Sequence, residues 1–304
     1  YESRAREVLH ALGIAERDFE LPTSALSGGQ TKLVGLAKLL VPASAWRDLM
    51  SRWLSALGEN WISCNGLILA LTQSIEWDVE GNTGLARRGW YLVVSNHQSW
   101  VDILALQKAF NRRLPMLTFF LKKELIYVPF MGLAWWALDF PFMNRPSRAE
   151  IAKNPKLAGK DLESARVACE KLKRIPAAMM SFPEGTRFSP AKRDSSGSPY
   201  RHLLKPKVGG IGVVMYALGD RLQSLIDVTI VYPSRALQER APTFWELMCG
   251  KVPEIIVRAR ELEIPKQLLG RNFREDRQIR RELEEWINQL WLEKDELIAQ
   301  LSPS

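Results

Sequence analysis

Three short apolar runs constrain this chain more than any other feature. They are Trp90–Ser95 (WYLVVS), Met179–Phe182 (MMSF) and Asp227–Tyr232 (DVTIVY). Each is too short for a core helix and suits a strand buried in a sheet. A helical pattern follows the first run at Val101–Phe110, and another precedes the third at Gly209–Leu218. Strands alternating with helices predict an α/β fold with a mostly parallel sheet flanked by helices. Asn96 is placed to cap the first helix, Pro183–Gly185 reads as a turn, and Asp194–Pro199 reads as a flexible loop. Trp46–Ile75 reads as helical, broken near Gly58 and Gly66. Near the C-terminus, Arg274–Leu301 reads as an amphipathic helix. Its apolar residues Ile279, Leu283, Trp286, Ile287, Leu290, Leu297, Ile298 and Leu301 recur at helical spacing. Such a helix suits either a lid packed on the core or a membrane surface.

Composition narrows the partners. The chain has 42 basic and 34 acidic residues, a formal net charge of +8, and the surplus is local. Lys108 to Lys160 holds ten basic residues against Glu124, Asp139 and Glu150. Inside that segment lies the apolar stretch Leu125–Leu138 (LIYVPFMGLAWWAL), too short to span a bilayer. It suits a core segment or an interfacial one. Flanking Lys122 and Lys123, and the adjacent Trp135 and Trp136, favour an anionic membrane surface. No nucleic-acid motif accompanies the basic residues, so nucleic acid is not an expected partner. No run of 18 or more apolar residues occurs. Cys64, Cys169 and Cys249 lie far apart, which excludes a disulfide scaffold and a CxxC zinc site and suits a reducing compartment.

Chemistry concentrates after the first two strands. His97 follows the first directly, and Asp102 stands five residues on. Positions five apart do not share a helix face, so they meet only if His97 lies in the turn and Asp102 reaches back from the first helical turn. The carboxylate would then hold one ring nitrogen protonated and leave the other free to accept a proton. No nucleophile-elbow serine or cysteine accompanies the pair, so such a base would act on a substrate hydroxyl. A capping or structural histidine is the plainer alternative. After the second strand comes Phe182-Pro183-Glu184-Gly185-Thr186-Arg187. Gly185 allows close backbone approach, Thr186 adds a hydroxyl, and Arg187 offers a fork for phosphate. Glu184 is placed to orient Arg187 or a substrate hydroxyl. A tight turn with a surface ion pair is the alternative there. Arg145 is a third candidate phosphate ligand.

Taken together these residues resemble the PlsC-like glycerolipid acyltransferases over about residues 39 to 304. The family's Asn-His-x4-Asp block is matched by Asn96, His97 and Asp102, and its apolar stretch ending in Arg by the residues around Arg145. Its Pro-Glu-Gly-Thr-Arg block is matched by Pro183 to Arg187, and its strand ending in Pro by Val228 to Pro233. Lys122–Leu138 and Trp286–Leu297 are similar to a proteobacterial inner-membrane branch. Asp139 stands where the second block often has Gly, and Pro141 interrupts its strand.

The resemblance implies acyl transfer from acyl-CoA or acyl carrier protein to the free hydroxyl of a lysophospholipid, with lysophosphatidic acid first. It implies His97 and Asp102 as the catalytic pair, and Arg145, Glu184, Gly185, Thr186 and Arg187 around the glycerol phosphate. It implies no metal or cofactor, and a place at the cytoplasmic face of a bacterial inner membrane. Lysophosphatidylglycerol or another lysolipid, and a lipid-binding protein without turnover, stay open as alternatives.

Residues 1–38 have a different likeness. Leu26-Ser27-Gly28-Gly29-Gln30 resembles the signature segment of an ABC-type ATPase, but no G-x-x-x-x-G-K-[ST] loop occurs in the chain. The expected organisation is a non-functional signature-like remnant over 1–38 and a membrane-associated helical region over 39–80. An acyltransferase domain follows over 81–304, its motif-bearing core at about 90–235. The family usually opens with hydrophobic anchoring helices. The first of these is not found in this sequence, which begins at Tyr1, so an anchor upstream stays open.

Overall fold

The computed structural model describes residues 44–129, 131–143, 175–233 and 240–302, with a few positions between 166 and 173. The ATPase-like segment 1–38 and Arg145 lie outside the described residues.

A six-stranded sheet organises the chain. Its strands are β1 (Glu76–Glu80), β2 (Trp90–Ser95), β3 (Leu117–Phe119), β6 (Ala177–Ser181), β7 (Ser224–Val231) and β8 (Glu254–Leu262), in the order β1-β8-β7-β2-β6-β3. A separate parallel pair joins β4 (Leu121–Lys122) to β5 (Phe142–Met143). Four of the five pairings in the main sheet are parallel, and only β7 and β8 run antiparallel. The sheet is therefore mixed and mostly parallel, with helices on both faces.

The central strand β2 shows why the apolar runs are continuous. Leu92 and Val94 pack into one core with α5 (Gly209–Leu218) and α7 (Arg277–Leu301). Tyr91 and Val93 pack into the other with α2 (Val101–Phe110). Both faces of the strand are covered, so neither needs polar residues. The C-terminal helix is a packed lid: Leu283, Ile287, Leu290, Trp291 and Ile298 are buried. It starts one turn later than its periodicity suggests, where the Asp276 side chain accepts from the Gln278 and Ile279 amides. Lys294 on this helix is fully buried and ion-pairs with Asp227 of β7 at 2.7 Å. Its ammonium also donates to Thr229 Oγ1.

Several sequence expectations change. The helix α1 (Ser44–Thr72) runs through Gly58 and Gly66 without a break. Gly58 sits where an added Cβ would lie 2.9 Å from Met116 Sδ, so close packing, not a bend, uses that glycine. Asp194–Ser196 are not loop but the end of α4 (Pro190–Ser196). Ser189 caps that helix and Gly197 closes it at φ 61°. Residues 76–80 belong to the main sheet, so the sheet begins before position 81. Asn96 does not cap α2. Its side-chain amide donates to Ile230 O and accepts from Ile230 N, extending the pairing of β2 with β7 by one residue. Asp139 has φ 60°, the left-handed region in which Asp is better tolerated than most residues, and its carboxylate accepts from Ser51 Oγ at 3.0 Å. A glycine-like backbone is thus kept at this position of the second block.

The basic, apolar segment folds as a 3-10 turn at Lys123–Tyr127 and a short helix α3 (Met131–Ala137). Lys122 and Lys123 are exposed. Trp135 and Trp136 are only half exposed, because α3 turns Gly132, Leu133 and Ala137 inward and the tryptophans flank that face. The exposed apolar surface here comes instead from Tyr127, Val128 and Met131. On α1, Trp53, Leu57, Trp61, Leu67, Ile68 and Leu71 are exposed. Among the described residues, no helix is long and apolar enough to cross a membrane.

Candidate active site

The site forms at the carboxyl ends of β2 and β6, which are neighbours in the sheet. Ligand crevices in α/β sheets lie outside such strand ends. β2 ends at Ser95, and the next two residues bring His97 into the turn. The chain enters α2 at Val101, which places Asp102 in the first helical turn. From there its carboxylate reaches back. Oδ2 lies 2.8 Å from His97 Nδ1 and accepts from the Gln98 amide at 2.6 Å and the Ser99 amide at 2.8 Å. Oδ1 accepts the Tyr232 hydroxyl at 2.6 Å. Asp102 is fully buried, and these donors replace the water that its charge has lost.

The carboxylate beside Nδ1 selects the tautomer with its proton on that nitrogen. Among the described residues, Nε2 has no hydrogen-bond partner and is free to accept a proton. The imidazole is about one-fifth exposed, and its ring stacks on Phe182 with centroids 4.0 Å apart. The ring is therefore held on one side by a carboxylate and on one face by an aromatic plane.

The turn after β6 is strapped to this loop. Phe188 N donates to His97 O at 2.7 Å, and His97 N donates to Glu184 Oε1 at 2.8 Å. Leu204 N donates to the other Glu184 oxygen at 2.8 Å. Glu184 is 1% exposed and both its oxygens are taken by backbone amides. Its oxygens go to the backbone and not to Arg187, which the sequence reading offers as a partner. It braces the backbone under His97. Burial pushes its carboxyl up to about 7, against the pull of the two amides, while Asp102 raises it further and Lys294 lowers it.

Beyond Glu184 the turn is exposed. Gly185 has φ +71°, a conformation that glycine adopts without strain, and Lys207 Nζ lies 3.2 Å from where its Cβ would be. Thr186 Oγ1 accepts from Lys192 Nζ at 2.9 Å, and the same ammonium bonds Arg187 O. The Arg187 guanidinium lies over the Trp100 ring, 5.8 Å from its centroid. Trp100 is itself exposed, at the start of α2. Ser99 Oγ donates to Pro242 O, tying this rim to the chain before α6 (Phe244–Met248).

The structure thus brings His97, Asp102, Glu184, Gly185, Thr186 and Arg187 together. Lys122, Lys123, Trp135 and Trp136 lie on the separate β4 and α3 segment. Sequence reasoning missed Tyr232. Its only signal was a hydroxyl at the end of a strand read as wholly buried, and its partner is 130 residues away. Among the described residues, no group of three His, Cys, Asp or Glu is arranged to hold a metal ion.

A sequence model of the acyltransferase family matches residues 76–233, just over half of the chain. The chain is similar to the 2-acyl-1-lysophosphatidylinositol acyltransferase of Saccharomyces cerevisiae, with 27% identity over 246 residues, 68% of this chain and 60% of that protein. It is also similar to the 1-acyl-sn-glycerol-3-phosphate acyltransferase of the same yeast, with 29% identity over 138 residues, 45% of this chain and 39% of that protein. The chain therefore spans 60% or less of the length of these relatives. The crystal structure of the 1-acyl-sn-glycerophosphate acyltransferase PlsC from Thermotoga maritima aligns over 94% of this chain and 97% of that one. The identity is 17% and the TM-score 0.47. The family match takes in the His97–Asp102 pair, the Pro183–Arg187 turn and Tyr232, and on that match the chain belongs to the acyltransferase family.

Proposed function

We propose that this protein moves a fatty acyl group from a thioester donor, acyl-CoA or acyl carrier protein, to the free hydroxyl of lysophosphatidic acid, giving phosphatidic acid. One observation carries the reading: a buried carboxylate holds the His97 ring at Nδ1 and leaves Nε2 free on a partly exposed ring. His97 Nε2 takes the acceptor hydroxyl proton as that oxygen attacks the thioester carbonyl. The C–S bond then breaks, and the departing sulfur takes the proton from the imidazolium. Asp102 keeps the ring oriented and balances its transient charge. The thioester is activated already, so no cofactor is assigned. Arg187, beside Thr186 and the exposed Gly185 backbone, supplies the phosphate contact, and Arg145 is proposed to join it.

The acceptor lies in a lipid layer, and the exposed surface supports docking there. Lys122 and Lys123 supply charge. The apolar face of α1, with Tyr127, Val128 and Met131, supplies area. The cytoplasmic face of a membrane is the proposed location, the bacterial inner membrane under the branch resemblance. A second acceptor is favoured by a specific observation, since one relative is named for lysophosphatidylinositol.

The test is acyl transfer from acyl-CoA to lysophosphatidic acid, measured for the parent and for His97→Ala. Product from the parent and almost none from the variant is the expected result. Equal product from both would remove His97 from the chemistry. Lysophosphatidylinositol and lysophosphatidylglycerol, run in parallel, decide the headgroup.

A further inference from the structure

We propose that Tyr232 is a positioning residue for the His97–Asp102 pair: its hydroxyl tethers the second Asp102 oxygen and so stiffens the carboxylate that holds the imidazole. The inference rests on the reading of His97 as the base.

The geometry is one-sided. Asp102 Oδ2 carries three donors, namely His97 Nδ1 and the amides of Gln98 and Ser99. Oδ1 accepts from the Tyr232 hydroxyl. Turning about the Cβ–Cγ bond carries both oxygens off their donors, so the bond at Oδ1 adds a fourth tether to the three at Oδ2. The ring nitrogen needs the carboxylate held still, because a hydrogen bond weakens steeply once its angle closes.

The fold puts Tyr232 there for a reason separate from the motif that carries His97. It follows the last residue of β7, two positions past Ile230. Residues two apart in a strand point to the same face, and Ile230 and Tyr232 both pack in the core with Val101 and Ala105 of α2. That is the face on which Asp102 lies. Two residues earlier, Asn96 clamps the Ile230 amide and carbonyl. The spacing between His97 loop and hydroxyl is therefore set by strand pairing. Tyr232 is buried, and burial together with Asp102 holds its phenol well above the ordinary tyrosine range. It therefore stays a donor.

A merely structural tyrosine would satisfy a buried oxygen and affect stability alone. Tyr232→Phe in the full chain separates the two. With acyl-CoA and lysophosphatidic acid, kcat is expected to fall about tenfold, with KM for both substrates held within about twofold, the loss of one well-placed hydrogen bond. The second readout needs no turnover. The chain has three histidines, so ring 15N labelling resolves His97, assigned by its loss in His97→Gln. The parent is expected to show one tautomer with a downfield Nδ1–H proton. Tyr232→Phe is expected to show mixed tautomers and loss of that proton signal. Unchanged kcat together with unchanged ring signals in a folded Tyr232→Phe would overturn the proposal. If that variant does not fold, 3-fluorotyrosine at position 232 keeps the shape and strengthens the donor, and an unmoved Nδ1–H signal there overturns it equally. Should His97→Ala turn over like the parent, the base reading falls, and the ring signals still decide whether Tyr232 positions the pair.

Discussion

The two turns at the mouth of the site are built in opposite ways. The one after β2 is largely buried and over-bonded: Asp102 accepts from Tyr232, Gln98 and Ser99, and the His97 amide donates to Glu184. The one after β6 buries only its first half. Pro183 and Glu184 face inward, while Gly185, Thr186 and Arg187 are exposed. A proton-transfer group needs its geometry set before the substrate arrives, and preorganisation favours a rigid setting. A headgroup contact needs access and reach. On the proposed reading, chemistry belongs to the first turn and headgroup binding to the second, with Glu184 as the brace between them.

That division has measurable edges. The largest expected effect is on His97→Ala, where kcat should drop by roughly 10²–10⁴-fold with little change in KM. A rise in KM alone would place the first turn in binding. Next comes the brace. The folded pKa of Glu184, about 7, lies above its ordinary 4.5, so the folded state holds the proton more tightly than the unfolded one. The parent's unfolding free energy, relative to Glu184→Gln, should therefore fall as pH rises from about 4.5 to about 7 and stay level above. The fall is on the order of 3 kcal/mol. Denaturant titrations across that range check it, and a flat difference would mean that Glu184 is not buried in solution.

Arg187→Ala should raise KM for lysophosphatidic acid by roughly 10- to 100-fold at nearly constant kcat, as loss of a charge-assisted bond implies. A loss confined to kcat would erase the contrast between the turns. The smallest effect concerns the surface. Lys122→Gln with Lys123→Gln should weaken flotation with anionic vesicles by roughly 1 kcal/mol per lysine, and less at high salt. Salt-independent flotation would leave the apolar face of α1 as the whole of the attachment.

The parts legible in the sequence are those whose cause is local. β2, α2 and α5 appear at their expected bounds, because continuous apolar runs and helical spacing were bounded by polar residues. The meeting of His97 and Asp102 followed from a turn and a helix start five residues apart. Strand β1 (EWDVE) was not seen, since its residues are half-exposed and charged. Nor was β8 (EIIVRAREL), whose second half alternates with Arg258 and Arg260. Those arginines pair with Asp78 and Asp227 on neighbouring strands, so they read as surface until the sheet is assembled. The same holds for Asn96, Glu184 and Tyr232. Each is chosen by a partner distant in sequence, and local patterns carry no trace of that choice.

The pairing of β1 has a consequence for how the chain is made. Its partner in the sheet is β8, with the Arg258 guanidinium on Asp78 across 180 residues of sequence. A ribosome adding ~5–20 residues per second needs roughly ten to forty seconds to deliver that partner. Until then the strand has no ladder, and α1 just before it has no finished domain to rest on. Its exposed tryptophans and leucines emerge early, well before the last strand of the sheet is made.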